Sequence, residues 1–308
     1  MKSLNPVLVY GGTGYYGKHI VRHLLEKGEY VRVLSRNLGS AIKNLGSNPH
    51  IVEGDVMNPS TISSSLNNAG SVIIALSASH PGLIRNVNKI ERDAVFHILD
   101  EMKDRGIERL VYLSVYDIRE SLLKDLNIQD FVQAKMEVEQ RIKNSGLNWT
   151  ILGAAPSYEL FFRLLRNNKL VIPGGGRKKI PSVSAEDVGE ICAQAVKRDD
   201  LAGQRIRLTG PEAVSFPEMA RMISEITGKK VRHLAIPLDF VNLASFLIKP
   251  VYPYMRYIYK SLKLLNNFPE DISKEVSWDH IQLRKLFDYK SVTLEEEIQR
   301  RLTSVSLI

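Results

Sequence analysis

Along the first half of the chain, short runs of apolar and β-branched residues alternate with stretches whose apolar positions recur every three or four residues. Runs of the first kind are Pro6–Tyr10, Tyr30–Ser35, His50–Glu53, Ser71–Leu76, Arg109–Ser114 and Asn148–Leu152. Each is apolar enough to be buried on both faces, which predicts strands of a parallel sheet. Between them lie Ile20, Val21, Leu24 and Leu25, then Ile90, Ala94, Ile98, Leu99 and Met102, each set marking one face of a helix. Strand and helix in alternation predict an α/β fold, a doubly wound parallel sheet with crossover helices.

After residue 156 the alternation weakens, although Gln204–Thr209 still reads as a strand and Ser184–Lys197 as the helix before it. Helix starts are marked by Ser184-x-x-Asp187, Ser215-x-x-Glu218 and Thr293-x-x-Glu296, the spacing of capping boxes. The expected division is a dinucleotide-binding domain over 1–156 plus about 181–211. The remaining segments, about 157–180 and 212–308, form a smaller, mostly helical substrate or partner lobe over the C-terminal edge of the sheet.

Composition narrows the class. The chain has 308 residues, 44% hydrophobic and 25% charged, enough for about two globular units and unlike a fibrous or disordered chain. No run approaches the roughly 18 apolar residues of a membrane span; Phe240–Ile248 contains Asn242 and Ser245 and stops at Lys249-Pro250. The first strand begins almost at once, with no leader pattern, and the expectation is a cytoplasmic protein. Cys192 stands alone, so neither an internal disulfide nor a cysteine-held zinc is expected. The net charge of +8 is spread over short runs, Arg177-Lys178-Lys179, Lys229-Lys230-Val231-Arg232 and Arg300-Arg301. Without stacking aromatics between them these read as solvated surface, with no specific nucleic-acid partner.

The strongest chemical signal is Gly11-Gly12-Thr13-Gly14-Tyr15-Tyr16-Gly17, directly after the first strand and opening the first helix. In that context one glycine makes the sharp turn, one lets backbone approach a pyrophosphate, and one lets helix and strand pack closely. The second strand ends Ser35-Arg36-Asn37, with no acid for the adenosine ribose. Arg36 can pair its planar fork with a 2′-phosphate, so NADP(H) is expected over NAD(H). His19 and His23 lie four apart on the first helix, but neither a zinc-protease glutamate nor a third ligand accompanies them, and no metal is expected. Gly174-Gly175-Gly176-Arg177 precedes an extended run and reads as a surface hairpin.

With these residues in place, the chain resembles an atypical short-chain dehydrogenase/reductase of the NmrA-like and isoflavone-reductase-like branch. The likeness covers about residues 5–235. It rests on the glycine loop, Ser35-Arg36-Asn37, Gly54-Asp55, Ala75-Leu76-Ser77, Tyr112-Leu113-Ser114, Lys135 through Glu139, Ser145 through Thr150, Ser184 through Gly189, and Leu208-Thr209-Gly210-Pro211-Glu212. The resemblance implies a Rossmann-type sheet, with Asp55 and Val56 bordering the adenine and Ala75, Leu76 and Ser77 lining the adenosine side. It also implies Ala154, Ala155 and Pro156 beside the nicotinamide and Lys135 on its ribose.

One position departs from the pattern. Where the superfamily has Tyr-x-x-x-Lys, this chain has Phe131 ahead of Lys135. A phenyl ring cannot give a proton to the oxyanion of a reduced carbonyl. Lys135, Ser114 and Tyr116 are then the polar candidates near the nicotinamide. An acceptor that spreads the incoming charge, such as a quinone or conjugated carbonyl, lowers the demand on them. The expected activity is NADPH-dependent reduction of such a small molecule; the alternative is a catalytically silent NADP(H)-binding sensor or assembly factor with a protein partner. Either would be a monomer or homodimer. Seven aromatic residues between 240 and 268 read as packing, with a pocket wall or a membrane or partner face as rival readings.

Overall fold

The computed structural model describes residues 5–117, 119–248 and 251–303, the side chains of 302 and 303 excepted. The chain divides into two compact units, one formed by Met1–Ile118, Val132–Ala154 and Ala185–Arg207, the other by Arg119–Phe131, Ala155–Ser184 and Leu208–Ile308.

In the first unit the elements run β1 (Val7–Tyr10), α1 (Gly17–Glu26), β2 (Val31–Ser35), α2 (Leu38–Leu45), β3 (His50–Glu53), α3 (Pro59–Ser65) and β4 (Ser71–Ile74). Then come α4 (Ala94–Asp104) and β5 (Arg109–Val115), and, past α5 (Glu120–Asp125) of the second unit, α6 (Gln133–Lys143) and β6 (Asn148–Ala154). Seven strands form one sheet in the order β3-β2-β1-β4-β5-β6, closed by β9 (Gln204–Leu208). The register sets Tyr10 of β1 between Leu34 of β2 and Ile74 of β4 in parallel pairing. Chain direction across the sheet reverses between β1 and β4, the crevice where open α/β sheets bind their ligands.

The predicted strands appear within two residues of the expected bounds, and the central ones are buried on both faces: Leu8, Val33, Ile73, Val111 and Leu152 are all inaccessible, whereas the edge strand β3 departs from that expectation, with His50 and Glu53 exposed and Ile51 and Val52 half-buried. One helix departs from its prediction. The run beginning at Ile90 enters through a π-helical turn, Lys89–Asp93, before settling into α4. At the back of the sheet α1 meets α8 (Ala185–Ala195), where a Cβ on Gly189 would stand 2.7 Å from the His19 backbone, so only glycine permits this approach.

The second unit contains α7 (Glu159–Arg163), β7 (Leu165–Arg166), β8 (Lys169–Pro173), α9 (Phe216–Thr227) and β10 (Arg232–Ile236). These are followed by α10 (Leu238–Leu247), α11 (Tyr254–Leu265), α12 (Ile272–Leu286) and α13 (Leu294–Thr303). A three-stranded sheet in the order β10-β8-β7 was not foreseen. Its hairpin turns through Asn167 and Asn168, both left-handed at φ 48° and 55°, as a two-residue turn requires. Its core gathers Phe161, Ile172, Phe216, Ile223, Leu262 and Leu294. The capping boxes at Ser215/Glu218 and Thr293/Glu296 are formed. The glycine run is no surface hairpin: Gly175 and Gly176 are buried, and a Cβ on Gly176 would strike the Phe216 ring at 2.5 Å. Segment Arg119–Phe131 is tied to this unit by ion pairs of Arg119 with Glu275 and Asp130 with Lys260.

Candidate dinucleotide-binding site

The glycine loop leaves β1 at the switch point, and each glycine meets a different neighbour. Gly11 is left-handed at φ 81°, and a Cβ there would stand 2.5 Å from the Ala75 carbonyl oxygen. On Gly12 a Cβ would meet Val33 at 2.8 Å. The amide of Gly14 donates to the Gly11 carbonyl at 2.9 Å, closing the turn, and a side chain on Gly17 would run into that same carbonyl. Gly14 itself is exposed. α1 then begins with no acidic residue in its first turn, so its N-terminal dipole faces outward uncompensated. A cradle that excludes side chains and ends on a helix N-terminus fits a pyrophosphate. Thr13, Tyr15 and Tyr16 complete it, the two rings 5.2 Å apart edge to face.

The neighbouring strands bring the other expected residues to the same edge. Asn37 caps α2 by accepting from the Ser40 amide at 2.7 Å, which leaves Arg36 on the turn before it. The Arg36 side chain is exposed and forms no ion pair among the described residues. Gly54 donates to the Ser35 carbonyl at 2.9 Å, bringing Asp55 and Val56 beside the end of β2. Asp55 accepts from the Met57 amide at 2.9 Å and shapes that turn. Past β4, the Ala75 amide donates to the Tyr10 carbonyl, and Ser77 bonds Ser79 at 3.0 Å.

Lys135, on the first turn of α6, reaches this edge from inside. Its ammonium donates to the Leu76 carbonyl at 2.9 Å, lies 3.5 Å from a Glu91 carboxylate oxygen, and stands 5.2 Å from the centre of the Tyr112 ring. Glu91 also accepts from the Ala78 amide at 2.5 Å. Lysine, carboxylate and the loop after β4 are thus one bonded unit. Burial works against the charge on Lys135, but Tyr112 and Glu91 outweigh it and hold the ammonium above the usual lysine value. Burial pushes the Tyr112 phenol up.

Sequence reasoning missed Glu91. It read the stretch from Ile90 as an ordinary amphipathic helix, in which a glutamate next to Ile90 belongs to the rim. The π-helical turn widens the helix there and carries Glu91 inward, where it is 6% exposed.

Ser114 and Tyr116 lie at and just beyond the end of β5. Ser114 donates to Glu139 at 2.6 Å, and Arg205 donates to both oxygens of that carboxylate at 2.8 and 3.1 Å. The same guanidinium caps the carbonyls of Val115 at 2.8 Å and Tyr116 at 3.1 Å. This buried knot fixes the end of β5, and the Ser114 hydroxyl is engaged within it. The Tyr116 ring lies 5.3 Å from the Arg207 guanidinium. Ala155, Pro156 and Phe131 belong to the second unit. There Ala155 donates to Leu208, Pro156 accepts from Val183, and the Phe131 ring packs 5.1 Å from that of Tyr257.

His19 and His23 face α8, where His23 lies 2.9 Å from both Glu186 and Glu190 and His19 lies 3.2 Å from Glu186. Hydrogen bonds from His19 and His23, with the Arg22 guanidinium beside them, hold the Glu186 carboxyl far below the ordinary range.

Strand order, glycine cradle and buried lysine define the class, a Rossmann-type fold with the architecture of NAD(P)-binding reductases. The chain belongs to the NmrA-like family, whose model matches residues 3–297. Among curated proteins it is 25% identical over 238 residues to the photosystem II assembly factor Ycf39 of Synechocystis sp., covering 75% of this chain and 71% of that one. Among solved structures it resembles the NADPH-dependent quinone oxidoreductase QOR2 of Escherichia coli complexed with NADPH (TM-score 0.70, 14% identity, 96% and 99% of the two chains). It likewise resembles the triphenylmethane reductase of Citrobacter sp. complexed with NADP(H) (TM-score 0.70, 16% identity, 96% and 99%). Among the described residues no helix is long and apolar enough to cross a membrane.

Proposed function

We propose that this chain binds NADP(H) in preference to NAD(H) and reduces a small delocalised acceptor, such as a quinone or conjugated carbonyl. The observation that carries the reading is the buried Lys135 ammonium, fixed on the Leu76 carbonyl beside a glycine cradle. The bound nicotinamide would supply the hydride. The amides of the glycine loop and of the start of α1 take the phosphates. Arg36 offers its open fork to the 2′-phosphate. Asp55, Val56 and Ala75 to Ser77 border the adenosine, and Ala155 and Pro156 flank the nicotinamide. Lys135 binds its ribose.

Glu91 and the Leu76 carbonyl fix the Lys135 ammonium in place, so that Lys135 serves the site as a positioned cation. Phe131, where the superfamily pattern has tyrosine, has no proton to donate, and Lys135 stabilises developing negative charge. An acceptor that delocalises the charge and takes its proton from water suits such a site. Ser114 acts through Glu139, and Tyr116 through its packing on Arg207, as positioning residues. The activities in the names of the quinone oxidoreductase and the triphenylmethane reductase are of this kind.

A second reading, a silent NADP(H)-dependent assembly factor or sensor, is favoured by two observations: Ser114 and Lys135 are both already bonded within the protein, and a curated relative is an assembly factor. Calorimetric titration and an NADPH-oxidation assay separate the two. Arg36→Ala should weaken NADPH binding about tenfold or more while leaving NADH unchanged. Lys135→Ala should lower quinone-dependent oxidation about a hundredfold. NADPH binding with no oxidation across quinones and enones selects the silent reading, and failure to bind either nucleotide overturns both.

A further inference from the structure

The small sheet of the second unit has an inner and an outer face. On β8, Leu170 and Ile172 point inward and are fully buried, so Lys169, Val171 and Pro173 line the outer face. Pairing sets Arg232 opposite Lys169, Leu234 opposite Val171 and Ile236 opposite Pro173, while Arg166 of β7 sits opposite Lys169 from the other side. One end of the outer face is therefore a rung of three cations, Arg166, Lys169 and Arg232, preceded by Lys229 and Lys230. None of the five forms an ion pair among the described residues, and all are exposed. Like charges set opposite one another across strands are destabilising. The other end is apolar, with Leu234 and Ile236 each 40% exposed.

The chain then passes through Pro237 into α10, which is apolar on both sides. Leu238 and Val241 pack on the core, while Phe240, Leu243, Phe246 and Leu247 point outward at 58–71% exposure. Isolated exposed apolar residues are ordinary, but a continuous patch is not. Charge follows the same geography. Residues 163–183 and 226–269 hold thirteen lysines and arginines against one acid, Asp239, more than the whole chain's net +8. Four of the thirteen, Arg163, Lys178, Lys179 and Lys260, pair with acids outside these segments, Glu159, Glu270, Glu218 and Asp130, whereas the five at and before the rung form no such pair among the described residues. Three of the seven aromatic residues of 240–268, Phe240, Phe246 and Tyr252, face outward and are not core; Lys249 lies outside the described residues.

We infer that this face is a peripheral docking surface for an anionic lipid bilayer, with the cationic rung at the phosphate headgroups and α10 lying in the interface. The complementarity is two-fold. An anion-dense partner relieves the self-repulsion of the rung, and an apolar one covers the outward side chains of the helix that follows β10 in the chain. A headgroup layer over acyl chains presents both in that order.

The test is flotation of the full chain with phosphatidylcholine vesicles, with and without phosphatidylglycerol. Binding is expected only with the anionic lipid, and it should fall as salt is raised. Phe246→Ser with Leu247→Ser should weaken it about tenfold or more, as should Lys169→Glu with Arg232→Glu. Circular dichroism and thermal melting of each variant check that the chain is folded. No binding to anionic vesicles at low salt overturns the inference, as does binding indifferent to the α10 substitutions. A concentration-dependent dimer that loses its association on Phe246→Ser, without vesicle binding by the native chain, assigns the face to a second copy instead.

Discussion

The two units place their polar and apolar groups in opposite ways. In the sheet unit, charged and hydroxylated groups are drawn inside and matched: Lys135 to Glu91 and the Leu76 carbonyl, Ser114 and Arg205 to Glu139. In the other unit, apolar residues of α10 and unmatched cations of the small sheet stand outside. Buried matched polar groups specify one geometry, because an unsatisfied partner is costly there. An exposed mismatch specifies nothing within the chain and points to something beyond it. Substitution should therefore be severe in the first region and nearly silent for folding in the second.

The largest effect is expected at Gly17→Ala, whose methyl group would press on the Gly11 carbonyl. Because both atoms are held by the backbone of the loop, we expect NADPH affinity to drop by about a hundredfold or more, with a destabilisation of roughly 3 kcal/mol. Titration and thermal melting read the two quantities separately. Next comes Glu91→Gln, which removes the carboxylate from a buried pair while keeping its shape. A loss of about 2–3 kcal/mol is expected, together with a change in kcat larger than that in KM if Glu91 positions Lys135. A stability loss with unaltered kinetics would leave Glu91 a structural residue only.

A smaller effect concerns acid. The carboxyl of Glu186 lies below its ordinary value through the hydrogen bonds of His19 and His23, so its contribution is complete above about pH 4.5 and lost as pH falls toward its folded value. Glu186→Gln should melt a few degrees lower at pH 7, and the gap should narrow on acidification below about pH 4.5. Smallest of all is the expected shift for Phe246→Ser with Leu247→Ser, within about 0.5 kcal/mol of the native chain, because neither side chain packs into the core. A large loss there would erase the contrast between the units.

Much of the first unit was legible because its signals are local. Two-sided burial makes a strand such as Ile73 and Ile74 continuous in apolar residues, and the glycine loop announces itself by spacing. Arg36 was legible from the end of the second strand, Asp55 and Lys135 through family likeness, and all three fell at one edge of the sheet. The rest depends on contacts distant in sequence. Glu91 and Lys135 are 44 positions apart, and neither periodicity nor composition pairs them. Likewise, Arg166, Lys169 and Arg232 form a rung only once β10 pairs with β8. Their charges in sequence look like three separate surface residues.

The π-helical turn at Lys89–Asp93 makes the counter-ion of Lys135 depend on chain length as well as side-chain identity. A π turn holds one residue more than an α turn. Deleting Arg92 would let the segment close into regular helix while Ala94, Val95 and Ile98 kept their seats against the sheet. Glu91 would then swing by about 100° around the axis and leave the lysine. The ionic setting of the site can thus be switched by a one-codon deletion that touches none of the groups in it, a route between relatives that comparisons of aligned side chains would overlook.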